Sequence, residues 1–174
     1  GCGAGLLCEP LARLGAQVTG IDAAPENVGA ARAHAQASSL AIDYLAGEFE
    51  QVAAGRTFDL VTSMEVIEHV TDPAAFVAGL AAALAPDGLM ILSTPNRTPL
   101  SRLAMITVGE GLGMIPRGTH DHAKFITPDE PTALLAAAGM AVTDRRGPSF
   151  SPAAGFHLSD DTSLNYLLTA RRPA

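Results

Sequence analysis

One short segment of the 174-residue chain concentrates side chains that could bind a metal or move a proton. Glu65, Glu68 and His69 lie in the sequence MEVIEHV, just after the strand-like run Phe58–Ser63. On a helical turn these positions are spaced i, i+3 and i+4, so their side chains would face one side. Two carboxylates and an imidazole suit a divalent cation such as Mg²⁺ or Mn²⁺. Without a metal, His69 or Glu68 is a candidate general base.

A structural role is the alternative for the same segment. Glu68 and His69 would then only cap and orient a helix, and Asp72 would be the N-cap of the following helix. The spacing of the residues leaves both interpretations open.

A glycine-rich segment at the start of the chain indicates a ligand site. Gly1, Gly3 and Gly5 precede a helix-like apolar pattern over 6–14, so the backbone can approach a ligand where a helix presents free N–H groups. Asp22 ends the next predicted strand, where a carboxylate can accept hydrogen bonds from both hydroxyls of a ribose. Together these features predict a nucleoside cofactor. The alternatives are a purely structural glycine turn and an N-cap role for Asp22.

The glycine spacing narrows the type of cofactor. A dinucleotide fingerprint reads G-x-G-x-x-G, whereas Leu6 stands here where the third glycine would fall. We expect the adenosine pocket to be completed by Glu48, near the base, and by Met64, which would cover the adenine. Met64 is equally compatible with a role as a core filler.

The elements that must position these residues alternate between helix and strand. Such alternation, with nearly continuous apolar runs in the later strands, predicts an α/β fold: a Rossmann-like, doubly wound and mostly parallel sheet. A glycine-rich turn of this kind normally follows a buried strand. We therefore expect that the chain is truncated at its N-terminus and that a first strand is missing. The predicted strands are 17–21, 43–46, 58–63, 89–94, 140–145 and 164–170, and the predicted helices are 6–14, 25–37, 72–84 and 127–138.

Length and composition limit the class of protein. A chain of 174 residues suits a single domain, with an insertion at about 97–125. Its 18 acidic and 11 basic residues give a net charge of -7, which argues against nucleic acid as a partner. Cys2 and Cys8 are too few for a disulfide framework and fit a reducing cytoplasm. Nothing in the sequence resembles a signal peptide or an apolar run long enough to cross a membrane, so we expect neither feature.

Several segments together resemble a known enzyme family. GCGAG, TGID, FDLVTSMEVIEHV, LAPDGLMILSTPNR and GTHDHAKF are similar to the O-methyltransferases of ubiquinone biosynthesis, a family of class I methyltransferases. The resemblance implies transfer of a methyl group from S-adenosylmethionine to a phenolic hydroxyl of a polyprenyl catechol or demethylubiquinol. It further implies that Gly1, Asp22 and Met64 contact S-adenosylmethionine. A cation at Glu65, Glu68 and His69 would lower the phenol pKa from about 10 and orient the oxyanion.

The predicted insertion carries an apolar face. Leu100, Leu103, Ile106, Met114 and Ile115 are accompanied by arginines, which suits a segment at a membrane interface. A cover over the substrate pocket and ordinary core are the alternatives. For a polyprenyl substrate we expect peripheral membrane contact through 100–115, at the cytoplasmic face of the plasma membrane, and association with other ubiquinone-biosynthesis enzymes.

The polar segment after the apolar face has two interpretations. His120 and Asp121 either return toward the substrate or only fasten the loop to the domain.

Three other functions remain open from the sequence. They are a class I methyltransferase of different small-molecule specificity, an NAD-dependent oxidoreductase and a non-catalytic module. The glycine spacing and the lack of an evident Tyr-Lys pair disfavour the oxidoreductase.

Overall fold

The computed structural model describes residues 1–103, 124–153 and 155–173. The chain divides into two compact units, Gly1–Thr57 and Phe58–Ala174. Each unit contains its own β-sheet, with two strands in the first unit and five in the second.

The first unit is a small α/β layer whose two strands run parallel. Pro25 occupies the first turn of the second helix, where its fixed φ suits helix initiation and its missing N–H costs nothing. The core is formed where this helix packs on the sheet, and its buried residues include Val28, Ala31 and Tyr44. The elements are α1 (Cys8–Arg13), β1 (Thr19–Asp22), α2 (Pro25–Ala37), β2 (Asp43–Ala46) and α3 (Phe49–Val52).

The second unit is built on a five-stranded sheet with order β3-β4-β7-β5-β6. Its interior strand β4 is buried at every residue from Leu92 to Pro95, as expected of a strand covered on both faces. Asp72 caps the helix that precedes β4 by accepting hydrogen bonds from the backbone N–H groups of Ala74 and Ala75, both at 3.0 Å. The elements are β3 (Phe58–Met64), α4 (Pro73–Ala82), β4 (Leu84–Pro95), α5 (Pro99–Ser101), α6 (Asp129–Ala137), β5 (Ala141–Ser151), β6 (Gly155–Ser159) and β7 (Asn165–Arg171).

The predicted α/β class is confirmed, but the strand directions differ from a mostly parallel sheet. β1 pairs with β2 and β3 with β4 in parallel, whereas β4–β7, β5–β7 and β5–β6 are antiparallel. Only three residues, 152–154, separate β5 from β6 along the chain, which is too few for a parallel crossover. The sheet of the second unit is therefore mixed.

Two local predictions are corrected. Strand β6 was not expected, because its residues Gly155–Ser159 lie in a glycine- and serine-rich stretch. The segment after Met64 forms turns instead of the expected helical turn. Ser93 causes this difference, because its carbonyl and hydroxyl oxygens hold the backbone N–H of Glu65 beside β4.

Candidate functional site

The glycine-rich turn of the first unit is held against the end of β1. The N-terminal amino group of Gly1 and the backbone N–H of Cys2 both donate to the carbonyl oxygen of Ile21 at 2.8 Å. Gly5 has φ +88°, and a Cβ added there would lie 2.3 Å from the hydroxyl oxygen of Tyr44. Only glycine satisfies both the backbone angle and the close approach.

Asp22 ties this turn to helix α2 through a buried carboxylate. Its Oδ2 accepts a hydrogen bond from the backbone N–H of Gly3 at 2.8 Å. Its Oδ1 accepts from the backbone N–H of Ala24 at 3.0 Å and from the side-chain amide of Asn27 at 3.1 Å. Burial acts to raise the pKa of Asp22, but these hydrogen bonds outweigh it and hold the pKa below its ordinary value. The carboxylate is therefore ionised and fixed in place.

Glu48 lies at the same edge of the two-stranded sheet. The strands end together, since Asp22 pairs with Ala46, and the backbone N–H of Gly47 donates to the carbonyl oxygen of Asp22 at 3.0 Å. Glu48 follows as the exposed residue that precedes α3. The structure thus brings Gly3 and Asp22 into contact and places Glu48 at the same end of the two strands.

In the second unit Glu65 stands just beyond the carboxyl end of β3, after the half-buried Met64. Its φ is +55°, a left-handed conformation that is unusual for a residue other than glycine. Its carboxylate accepts from the Ser93 hydroxyl at 2.5 Å through Oε1, and from the Asn165 side-chain amide at 2.9 Å through Oε2. Both oxygens of Glu65 are thus engaged by neighbouring strands.

Glu68 is a buried carboxyl group beside an accessible imidazole. Its side chain is 3% exposed and that of His69 is 49% exposed, with Oε1 and Nε2 3.8 Å apart. The hydroxyl of Thr94 donates to Glu68 Oε2 at 3.0 Å. Burial raises the pKa of Glu68 from 4.5 to about 7; its own backbone N–H opposes this rise and the charge of Glu65 adds to it. Glu68 therefore titrates near neutral pH, where a general acid or base is most effective.

The metal site predicted at Glu65, Glu68 and His69 is not assembled. Within the described ranges, no three His, Cys, Asp or Glu side chains form a group that could hold a metal ion. The physical reason is local, because the segment is not a helical turn and each carboxylate is turned toward a different hydroxyl group of β4. The helical turn that would give these three residues a shared ligand face is therefore absent, and a metal ion at Glu65, Glu68 and His69 stays a prediction.

Sequence reasoning missed the polar residues that surround these carboxylates. Ser93 and Thr94 end the predicted strand 89–94, and polar residues at the carboxyl end of a buried strand are a usable signal for a site. Asn165 carries no such signal, because it begins β7. Its place beside Glu65 follows only from the antiparallel pairing of β7 with β4, in which Asn165 pairs with Pro95.

The predicted insertion is described only at its ends. Leu100 and Leu103 are about half exposed, at 50% and 53%. In the part of the chain that the structure describes, no helix has the length and apolar character needed to cross a bilayer. Ile106, Met114, Ile115, His120 and Asp121 lie outside the described residues.

Comparisons with known proteins agree with this arrangement of elements. A family model described as a methyltransferase domain matches residues 1–144. The ubiquinone biosynthesis O-methyltransferase of Methylobacterium sp. (strain 4-46) is 48% identical over 177 aligned residues, which cover 100% of this chain and 71% of the relative. The protein of the same name from Cereibacter sphaeroides (strain ATCC 17025) is 51% identical, covering 99% of this chain and 72% of the relative.

Solved structures show the same fold at lower identity. The magnesium protoporphyrin IX methyltransferase from Synechocystis PCC 6803, crystallised with S-adenosylhomocysteine, has a TM-score of 0.73 at 24% identity, covering 99% of this chain and 72% of that chain. An S-adenosylmethionine-dependent methyltransferase from Clostridium acetobutylicum has a TM-score of 0.72 at 13% identity, covering 99% and 82%. From the fold and the near-complete match to its relatives, the chain belongs to the ubiquinone biosynthesis O-methyltransferase family of S-adenosylmethionine-dependent methyltransferases.

Proposed function

We propose that this protein transfers the methyl group of S-adenosylmethionine to a phenolic hydroxyl of a polyprenyl catechol or demethylubiquinol in ubiquinone biosynthesis. The observation that carries the proposal is the 48–51% identity to relatives of that name over nearly the whole chain. The buried Glu68 beside an accessible His69 supports it, because removal of a phenolic proton needs a base within reach of the substrate.

In the first unit, the residues proposed to hold the cofactor are Gly1, Gly3, Gly5, Asp22 and Glu48. Bound S-adenosylmethionine supplies an electrophilic methyl group on its sulfonium. The ionised Asp22 uses three of the roughly four acceptor positions of its carboxylate within the protein, which leaves about one to accept a hydrogen bond from a ribose hydroxyl. In the second unit, Met64 retains its predicted role at the adenine.

His69 is the proposed general base, and Glu68 is its supporting carboxyl group. The half-exposed imidazole can reach a phenol, whereas the buried Glu68 cannot do so without a change of conformation. A carboxylate at 3.8 Å stabilises the imidazolium that forms when His69 accepts the proton. Both oxygens of Glu65 accept hydrogen bonds, and a divalent cation at Glu65, Glu68 and His69 stays a prediction through which no step of the proposed reaction passes.

The base assignment is tested by comparing His69→Gln with Glu68→Gln. Loss of a general base typically costs about 10²-fold or more in kcat, so we expect this loss for His69→Gln and a smaller one for Glu68→Gln. Labelled S-adenosylmethionine with a short-chain prenyl catechol provides the assay. A larger loss for Glu68→Gln than for His69→Gln would assign the base to Glu68 instead.

Acceptor specificity tests the substrate part of the proposal. We expect methyl transfer to a prenylated catechol and none to the same molecule with both hydroxyls already methylated. Equal transfer to an unrelated small-molecule amine would favour a methyltransferase of different specificity.

The proposal extends to peripheral membrane contact through residues 100–115. The exposure of Leu100 and Leu103 supports it, since exposed apolar side chains next to Arg102 suit a lipid interface. Flotation with liposomes, with and without residues 100–115, measures this contact. Equal flotation of both forms would contradict it.

A further inference from the structure

The left-handed backbone conformation of Glu65 must be stabilised by hydrogen bonds from neighbouring residues. A non-glycine residue in this region is strained, and such residues persist only where the surrounding structure holds them in place. Three of the restraints come from Ser93: its carbonyl and hydroxyl oxygens accept from the Glu65 backbone N–H at 3.1 and 3.2 Å, and its hydroxyl donates to Glu65 Oε1 at 2.5 Å. Ser93 itself is only 3% exposed, so its position beside Glu65 is fixed by the surrounding packing.

The remaining restraint comes from a residue 100 positions away in sequence. Asn165 is the first residue of β7 and donates its side-chain amide to Glu65 Oε2 at 2.9 Å. Its backbone is fixed by pairing with Pro95 of β4. The Glu65 carboxylate therefore bridges two strands, and it does so at the start of the turn that carries Glu68 and His69.

We propose that Asn165 is a positioning residue for methyl transfer: its amide holds Glu65, and through it the left-handed turn that presents Glu68 and His69. The inference rests on the proposed function for its kinetic consequence. Asn165 does not act on Met64, because Met64 is already held in register with Ser93 by the β3–β4 ladder. The proposal therefore separates the chemical step from cofactor binding.

An exchange of the two polar groups tests this role directly. Asn165→Asp removes the donor and places a second carboxylate against Glu65, so the two groups repel. Adding Glu65→Gln restores a bond of opposite direction, because the introduced glutamine amide can donate to the introduced aspartate while its oxygen still accepts from Ser93. The double variant keeps the net charge of the wild type.

We expect Asn165→Asp to lower kcat by about tenfold to a hundredfold, as small misplacements of reacting groups do, while KM for S-adenosylmethionine stays near the wild-type value. The double variant should recover most of this kcat. Asn96→Asp is the control, since Asn96 is another asparagine whose side-chain amide joins two parts of the second unit, donating to the Thr162 carbonyl at 2.8 Å. Glu65→Gln should not restore any loss that Asn96→Asp causes.

A wild-type kcat in Asn165→Asp would overturn the proposal. A double variant that stays as slow as Asn165→Asp would overturn it too, because Glu65 would then be required for its charge and not as an acceptor. Equal loss in kcat and in cofactor affinity would indicate general damage to the fold and count against a positioning role.

A second readout needs no substrate and separates this inference from the proposed function. Carbethoxylation of His69 by diethyl pyrocarbonate, followed by peptide mass spectrometry, reports the turn conformation, with the exposed His157 as the internal reference. We expect a changed rate at His69 in Asn165→Asp and a wild-type rate in the double variant. If the wild type methylates no prenyl catechol but this pattern holds, the proposed function fails and the structural role of Asn165 stands. An unchanged His69 rate in Asn165→Asp would overturn the inference whatever the activity.

Discussion

At the scale of single residues, the buried carboxylate of Asp22 connects the glycine-rich turn to helix α2 by three hydrogen bonds. Its residue type and place at a strand end were evident from the sequence. Its partners Gly3 and Asn27 were not evident, because they depend on the path of the backbone before and after β1. The same applies to Glu68, whose burial against Thr94 gives it the chemistry of a group that titrates near pH 7.

Asp22→Asn should weaken binding of S-adenosylhomocysteine by about tenfold to a hundredfold, because a charge-assisted hydrogen bond contributes roughly 1.5–3 kcal/mol. Calorimetric titration measures the affinity. Asp43→Asn is the matched control, since Asp43 is an exposed carboxylate of β2 paired with Arg56 at 2.9 Å. Exposed pairs of this kind contribute little, and affinity should stay unchanged. Equal affinity of wild type and Asp22→Asn would exclude Asp22 from the cofactor site.

The raised pKa of Glu68 should make the free energy of unfolding decrease as pH rises. Because its folded pKa of about 7 lies above the ordinary 4.5, the folded protein binds more protons than the unfolded chain between these values. The stability that Glu68 contributes is therefore complete below pH 4.5 and is lost by about pH 7. Glu68→Gln should match the wild type at about pH 4.5 and exceed it at about pH 8 by about 1 kcal/mol or more, in urea unfolding.

Glu130 provides a control, because its pKa is shifted in the direction opposite to that of Glu68. Burial acts to raise its pKa, but the hydrogen bonds from Thr127 and Arg97 outweigh it and lower the pKa. Its contribution is therefore present at neutral pH and lost as pH falls through the folded pKa. Glu130→Gln should destabilise the protein at about pH 8 and have less effect in acid. Parallel pH trends for the two variants would contradict the assigned environments.

At the scale of elements, strands β3 and β4 were predictable because their apolar runs are long and almost uninterrupted. The start of β4 at Leu84 was not, since Pro86 and Gly88 interrupt the pattern that indicates a strand. Strand β6 shows the same effect more strongly, because tertiary pairing with β5 outweighs its weak local preference. The turn at Glu65 depends on the neighbouring strand, so local spacing predicted it incorrectly.

Substitution by alanine should have opposite effects on the free energy of unfolding at Gly147 and at Gly29. A Cβ added at Gly147 in β5 would lie 1.7 Å from the carbonyl oxygen of Asp161, so the backbone must move. Gly147→Ala should cost about 1–3 kcal/mol or more in the free energy of unfolding. Gly29 lies in the exposed part of helix α2 with nothing within 4 Å of an added Cβ, so Gly29→Ala should stabilise by roughly 0.5–1 kcal/mol.

Urea unfolding of both variants at one pH decides this prediction. A neutral Gly147→Ala would mean that the Asp161 backbone does not approach β5 as described. A destabilising Gly29→Ala would contradict the exposed position of Gly29 in α2.

At the scale of the whole molecule, the family could be recognised from the sequence because several segments carry it together, and GTHDHAKF is among the more specific of them. The fold class followed from alternation of helix and strand. The mixed direction of the second sheet did not, since the direction of β7 is set by its pairing with β4 and β5 and by no local pattern. The supporting residues Ser93, Thr94 and Asn165 share this dependence on topology.

Methylation of a phenolic oxygen of a prenylated catechol is the reaction on which the proposed roles of all these residues depend. Incubation of the full-length protein with S-adenosylmethionine carrying a labelled methyl group and a short-chain prenyl catechol, followed by mass spectrometry and NMR of the product, detects it. We expect one labelled methyl group bonded to a phenolic oxygen of the product. S-adenosylhomocysteine should form in an equimolar amount. Label on a ring carbon, or no labelled product from a protein that binds S-adenosylhomocysteine, would refute the proposed reaction.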